Sequence, residues 1–247
     1  MDAPTTLQPL NEDWHNALAV VAHPDDMEFG ASAAVARWTS QGKSVIYCMV
    51  TSGEAGIDGM DPESARAVRT AEQIESGRIV GVDTVDFLGE PDGILEYGVP
   101  LRRAITSSVR THRPDIVITN NMRDTWGGVT LNQADHIAVG KATLDAVRDA
   151  GNRWVFAEQI EGGLEPWGGV RQVWAAGSPM SAHGVDCTET FERGVESLRA
   201  HTAYIAGLGW DDFDPAEFLE GGARQAGTQL GVPFATSFEV FEMGWGD

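Results

Sequence analysis

The chain has 247 residues, 42% of them hydrophobic, which suits one large α/β domain with a sizeable core. It carries 37 Asp and Glu against 17 Lys and Arg, a formal charge of −20. Such a surface repels phosphate backbones and anionic lipid, so neither nucleic acid nor a membrane surface is expected as a partner.

The opening MDAPTTLQPLNEDW lacks the basic start and apolar run of a signal peptide. No stretch reaches the ~20 apolar residues of a membrane span. The two cysteines, Cys48 in VIYCMV and Cys187 after an acidic turn, do not suggest a disulfide framework. A cytoplasmic location is expected. Ala17 to Ala22 (ALAVVA) reads as a first buried strand, residues 31–41 as a helix stopped by Gly42, and Ser44 to Thr51 as a second strand. A glycine-rich loop, SGEAGIDG, follows. Residues 63–80 have the spacing of a long amphipathic helix, 84–88 and 115–119 read as short strands around a helix at 100–112, and another helix runs from about Asp135 to Ala150. Unbroken apolar strands alternating with helices predict a Rossmann-like, mostly parallel sheet with helices on both faces. Beyond residue 150 the pattern weakens into a loop-rich C-terminal part, with late strands at 172–176 and 236–241 and a helix over 188–206. No linker divides the chain, so a single domain is expected, a core over 1–150 and a substrate-shaping part over 151–247.

Ligands of such sheets bind outside the carboxyl ends of the strands. The segment VVAHPDDME places His23, Asp25 and Asp26 at that point of the first strand. Pro24 breaks the strand, and in the resulting turn His23 and Asp26 can converge on one ion while Asp25 overhangs an open position. The plain alternative is that Asp25 or Asp26 caps the next helix. His136, in NQADHIAVG, follows the 115–119 strand and its loop, again on the carboxyl rim. With His23 and Asp26 it completes the two-imidazole, one-carboxylate set of a catalytic zinc site that keeps one position for water.

These residues, with VTSGEAG at 50–56, Arg69 and Glu72 spaced Arg-x-x-Glu, PDG at 91–93, RPDIVIT at 113–119 and the Asp135–His136 pair, resemble the LmbE-like, or N-acetylglucosaminylphosphatidylinositol de-N-acetylase (PIG-L), family over residues 17–150 and more faintly over 183–204. The resemblance implies one zinc ion per chain, or another divalent metal, on His23, Asp26 and His136, with Asp25 as general base. It implies that Arg69 and Asp92 contact sugar hydroxyls, with Glu54 as a further contact. The plain readings are an ion pair of Arg69 with Glu72 or Glu75, a Pro-Asp-Gly turn at Asp92 and a solvated loop carboxylate at Glu54. The family's His-Pro-Asp-His around the third ligand is Gln133-Ala134-Asp135-His136 here. Gln133 can donate an amide hydrogen bond but cannot titrate, so His183 or His201 is left to supply an imidazole, and Asp135 is expected to orient a ligand through its carboxylate. The late His-x-Ser-Gln pattern survives only as His201-Thr202-Ala203-Tyr204.

The implied reaction is hydrolysis of the N-acyl group of a small amino-sugar conjugate: Asp25 takes the proton of the attacking water, Gln133 or a histidine holds the oxyanion, and Asp25 or His183 protonates the leaving amine. A homo-oligomer is compatible with the sequence. The rival readings are a metal-dependent hydrolase of another bond and a non-catalytic sugar-binding or interaction protein on the same scaffold. Eight tryptophans are many for this length; indole faces suit sugar rings or flat aglycones as well as a core.

Overall fold

The computed structural model describes residues 6–210 and 212–244. A short β1 (Gln8–Pro9) precedes β2 (Asn16–Val21), a one-turn helix α1 (Asp26–Gly30), α2 (Ser32–Ser40) and β3 (Ser44–Met49). Helix α3 (Pro62–Ile79), β4 (Thr84–Phe87), α4 (Val99–His112), β5 (Ile116–Asn120) and α5 (Ala134–Gly151) complete the first part. The periodicity places β2, α2, β3, α3, β4, α4, β5 and α5 within a residue or two of their observed bounds, while β1 and α1 were not expected. Asp61 caps α3 by accepting the Ser64 amide hydrogen, ahead of Pro62 in the first turn.

The second part holds α6 (Ala157–Glu161), β6 (Gln172–Ala176), β7 (His183–Asp186), α7 (Phe191–Arg199), α8 (Thr202–Gly207), α9 (Pro215–Leu230) and β8 (Ala235–Glu242). The helix expected over 188–206 is thus two helices, broken at His201. Strand β7 and helix α9 carry no clear sequence signal: HGVD is only four residues long, and α9 buries little of its surface.

The strands form one sheet in the order β1-β7-β8-β6-β5-β2-β3-β4. The run β6-β5-β2-β3-β4 is parallel, while β8 lies antiparallel between β6 and β7. Alternate residues of β2 feed opposite layers. Leu18 and Val20 pack with Ile105, Val109, Val139 and Ala142 of α4 and α5, whereas Ala17, Ala19 and Val21 meet Trp14, Val35, Trp38, Trp174 and Phe238 on the other face. Rings of Trp14, Trp38 and Trp174 lie 5.3–5.9 Å apart, so three of the tryptophans are core. The order in which strands are added reverses at β2, whose neighbours are β3 on one side and β5 on the other. That reversal opens the crevice in which sheets of this kind hold ligands.

Candidate metal and active site

Strand β2 delivers His23 to the crevice and the turn that follows is tightly specified. Pro24 stops the ladder, and Asp25 takes a left-handed backbone, φ 90°, a conformation that costs a non-glycine residue about 1–3 kcal/mol. Asp26 Oδ2 accepts the His23 amide hydrogen at 2.8 Å, which folds the turn back on itself. Neither aspartate caps a helix end with its side chain. The two neighbouring carboxylates point to different partners.

Asp26 faces the imidazoles. Its Oδ1 is 2.9 Å from His136 Nε2 and its Oδ2 3.7 Å from His23 Nδ1, while those two ring nitrogens are 3.2 Å apart. All three residues are buried. Burial alone would push Asp26 up, but the attraction of His136 and hydrogen bonds from both imidazoles hold it well below the usual carboxylate range. For His23, burial favours the neutral ring, yet hydrogen bonds to Asp135, Asp26 and Asp92 raise its pKa well above the ordinary value. The cluster therefore favours positive charge at its centre.

The outer nitrogens show which lone pairs are free. His136 Nδ1 lies 2.9 Å from Asn132 Oδ1, an acceptor, so that nitrogen carries the proton and Nε2 turns its lone pair inward. His23 Nε2 lies 3.1 Å from Asp92 Oδ1 and 3.3 Å from Asp135 Oδ2, which makes it a donor and leaves Nδ1 facing Asp26 and His136. With the outer nitrogens as donors, two imidazole lone pairs and a carboxylate oxygen can converge on one point, a donor set that fits a divalent cation. His23, Asp92 and Asp135 also lie close enough together to hold an ion, but their carboxylates are occupied. Asp135 accepts the Gly93 and Leu95 amide hydrogens, and Asp92 accepts that of Ala55. This second group steers His23.

Asp25 faces Arg69. The guanidinium donates to Asp25 Oδ2 at 2.8 Å, to the Pro24 carbonyl and to the Gly53 carbonyl, and both side chains are almost wholly buried. Burial raises Asp25 to about 6 despite the opposing pull of Arg69. The loop SGEAG supplies the space: Gly53 has φ +65°, and a Cβ at either Gly53 or Gly56 would collide with the Arg69 guanidinium. Tyr204 of α8 closes the other side, its ring 4.0 Å from Arg69 Cζ. Glu72 anchors Tyr204 by accepting the amide hydrogens of Ala203 and Tyr204. The expected Arg69–Glu72 or Arg69–Glu75 ion pairs are therefore replaced: Glu75 pairs with Arg78.

Behind the turn, Gln73 Oε1 accepts the Asp25 amide hydrogen at 2.8 Å and its Nε2 donates to Glu28 Oε1 at 3.1 Å. Glu28 also accepts from the Ser76 and Ser197 hydroxyls, with His201 Nε2 3.5 Å from its other oxygen. Burial disfavours a charged His201, but Glu28 outweighs this and raises its pKa.

A cavity of about 990 Å³ opens over the cluster. His23, Asp25, Asp26, Arg69, Asp92 and His136 all line it, as do Gln133 and Asp135 at the amino end of α5. Two predicted residues are elsewhere. His183 lies on β7, four strands along the sheet from β2, about 19 Å away at about 4.8 Å per strand, and is not among the lining residues. Glu54 turns back on its own loop, pairing with Arg66 and accepting the Ser52 and Asp92 amide hydrogens. Residues the sequence reading missed include Asn132, Gln73 and Tyr204. Gln73 had a signal, since Ala65, Arg69, Gln73 and Ser76 share the buried face of α3 at helical spacing. Asn132, four residues before His136, had only that spacing.

The sequence matches the profile of the GlcNAc-PI de-N-acetylase (PIG-L) family over residues 18–147. It is 27% identical over 210 residues to a diacetylchitobiose deacetylase of Thermococcus kodakarensis, covering 84% of this chain and 76% of that protein. It is 29% identical over 184 residues to a 1D-myo-inositol 2-acetamido-2-deoxy-alpha-D-glucopyranoside deacetylase of Kineococcus radiotolerans, covering 61% of this chain but only 48% of that protein. The solved N,N'-diacetylchitobiose deacetylase of Pyrococcus horikoshii shares the fold at a TM-score of 0.85 and 24% identity, over 94% of this chain and 85% of that one.

Proposed function

Since the chain belongs to the GlcNAc-PI de-N-acetylase (PIG-L, LmbE-like) family, we propose that it hydrolyses the N-acyl group, in the simplest case acetyl, of a small amino-sugar conjugate. The observation that carries this reading is the pairing, within one cavity, of a buried carboxylate, Asp25, with the convergent donors His23, Asp26 and His136. The two named deacetylases with sequences similar to this one act on N-acetylated sugars, which supports the same substrate class here. No helix among the described residues is long and apolar enough to cross a membrane, and the two cysteines are buried and unpaired, which supports a small-molecule enzyme in a reducing compartment.

His23, Asp26 and His136 would hold the metal, which we take to be zinc. Bound there, zinc supplies Lewis acidity toward the acyl oxygen and makes water a better nucleophile at neutral pH. Asp25 accepts the proton of the attacking water. Its orientation is fixed by Arg69 and by the strained turn, so the carboxylate meets that proton without searching rotamers. As the carbonyl becomes tetrahedral, negative charge grows on its oxygen. Gln133 lines the cavity at the amino end of α5, where its amide and the helix dipole would stabilise that charge. Once the C–N bond breaks, Asp25 returns its proton to the departing amine. His183 is too distant to do so. Arg69 commits three donors to Asp25, Pro24 and Gly53, while its Nε has no partner; its service to the substrate runs at least through Asp25, and that of Asp92 through His23.

The test is amine release from N-acetylglucosamine conjugates, with metal content measured in parallel. General acid–base help is worth about 10²–10⁴-fold, so Asp25→Asn should lose at least about two orders of magnitude in kcat while keeping its zinc. Near-native turnover by that variant would remove Asp25 from the mechanism. Absence of amine release from every conjugate would remove the deacetylase reading.

A further inference from the structure

The cavity is larger than its chemistry requires. About 990 Å³ is at the upper end of the range for drug-sized ligands, about 300–1,000 Å³, and one N-acetylhexosamine fills a small part of it. The polar groups crowd one end, on the turn after β2 and the start of α5. Another part of the lining, from α1, the segment between α8 and α9, and α9 itself, is aromatic: Phe29, Trp210 and Phe218. Phe29 and Phe218 meet edge-on at 5.4 Å, and Phe213 backs the wall at 5.3 Å from Trp210 and 5.6 Å from Phe218. Trp210 and Phe218 are each 53% exposed, and Leu131, on the cavity's other lip, is 78% exposed. A cluster of large apolar side chains left open to water marks a surface that a ligand covers.

The same cavity indicates what that ligand is. Among the described lining residues Arg69 is the one Lys or Arg, and its charge is already matched by Asp25. With a net charge of −20, the wall does not favour a phosphate or carboxylate on the substrate. A second sugar ring would stack on an indole but would also need hydrogen-bonding side chains beside it. The lining residues Gly30, Ala176 and Gly177 offer no hydrogen-bonding side chain for one. We propose that the amino-sugar substrate carries a neutral apolar group, at the anomeric oxygen or in the acyl chain, and that Phe29, Trp210 and Phe218 form its subsite. This rests on the deacetylase reading and names the substrate class for it.

The experiment compares kcat/KM for N-acetylglucosamine, its methyl, butyl and octyl β-glycosides, N-butanoyl- and N-octanoylglucosamine, and diacetylchitobiose. About 0.8 kcal/mol per buried methylene is about fourfold, so one of the two alkyl arms should climb by up to that factor per carbon until the wall is filled. The arm that climbs identifies where the apolar group is attached. In the double variant Trp210→Ser, Phe218→Ser the climb should flatten. Trp154→Ser, at an indole 82% exposed outside the cavity, should leave it intact. Circular dichroism checks that the variants fold. Equal efficiency along both arms, or diacetylchitobiose as the best substrate, overturns the proposal while the deacetylase reading stands; no release from any compound overturns both. If light scattering shows the double variant dissociating an oligomer with the substrate series unchanged, a second copy covers the rings and the proposal is again overturned.

Discussion

Gln73 bears on catalysis without touching substrate, and Gln73→Met measures how much. Its amide orientation is dictated on both sides: the oxygen must face the Asp25 amide hydrogen at 2.8 Å, and the nitrogen must face Glu28 at 3.1 Å. Methionine matches the length but offers neither group. The Asp25 N–H is then left buried without a partner, at a cost of about 1–3 kcal/mol. The turn at φ 90°, itself strained by about 1–3 kcal/mol, loses the bond that holds it. A net loss of about 3 kcal/mol follows, and for a chain of this length each kcal/mol lowers Tm by about 2–4 °C. Thermal unfolding should shift down by about 6–12 °C on these figures. Turnover should fall by about tenfold or more, because an Asp25 carboxylate free to wander meets the water proton less often, while metal content, set by residues on the other side of the turn, stays near wild type. A variant with unchanged Tm and kcat would show that Arg69 alone fixes Asp25, and the positioning argument would be wrong.

Asn132→Leu removes the acceptor on His136 Nδ1, so zinc affinity measured against a competing chelator should drop about 10–100-fold. Asn132→Asp keeps that acceptor and should retain affinity, although it loses the donations to the Asn121 and Arg123 carbonyls. Gly56→Ala places a methyl against the Arg69 guanidinium; kcat should fall well beyond any loss of Tm, because the displaced arginine no longer aligns Asp25. Equal kcat in Gly56→Ala and wild type would sink that account.

The parallel half of the sheet was legible because β2, β3, β5 and β6 are largely apolar runs, and alternation assigns Leu18 and Val20 to one layer and Ala19 and Val21 to the other. The late elements were less so. Helix α9 exposes Phe218 on a helix that buries little, so amphipathic spacing has no clear stripe to follow, and β7 is too short for a period. In the site, the convergence of His23, Asp26 and His136 was readable because candidate metal ligands come from His, Cys and carboxylates and the strand rim restricts the choices. Arg69 and Asp92 were expected to contact sugar hydroxyls, and both line the cavity, but a sequence lists side chains without their partners. In the structure their polar atoms turn toward Asp25 and His23. Asn132 and Tyr204 were invisible for the same reason: an amide and a phenol become part of a site only through what the fold sets against them.

The different roles proposed for the adjacent Asp25 and Asp26 need a device that separates them, and the left-handed Asp25 backbone supplies one. At φ 90° Asp25 reaches Arg69 while Asp26 stays beside the imidazoles. Their environments then push the two groups apart, Asp25 upward by burial and Asp26 well downward by His136 and His23. Such divergence distinguishes a proton acceptor from a fixed negative ligand. The pair of amide variants should therefore split cleanly. Asp26→Asn keeps an oxygen for the His23 amide hydrogen and so keeps the turn, yet it removes the negative ligand, and zinc should be lost under dialysis that leaves Asp25→Asn loaded. Asp25→Asn should bind metal and conjugate but turn over about 10²-fold or more slowly. Were both variants to lose metal together, or both to keep it, the two carboxylates would share one role and the division imposed by the turn would have no chemical consequence.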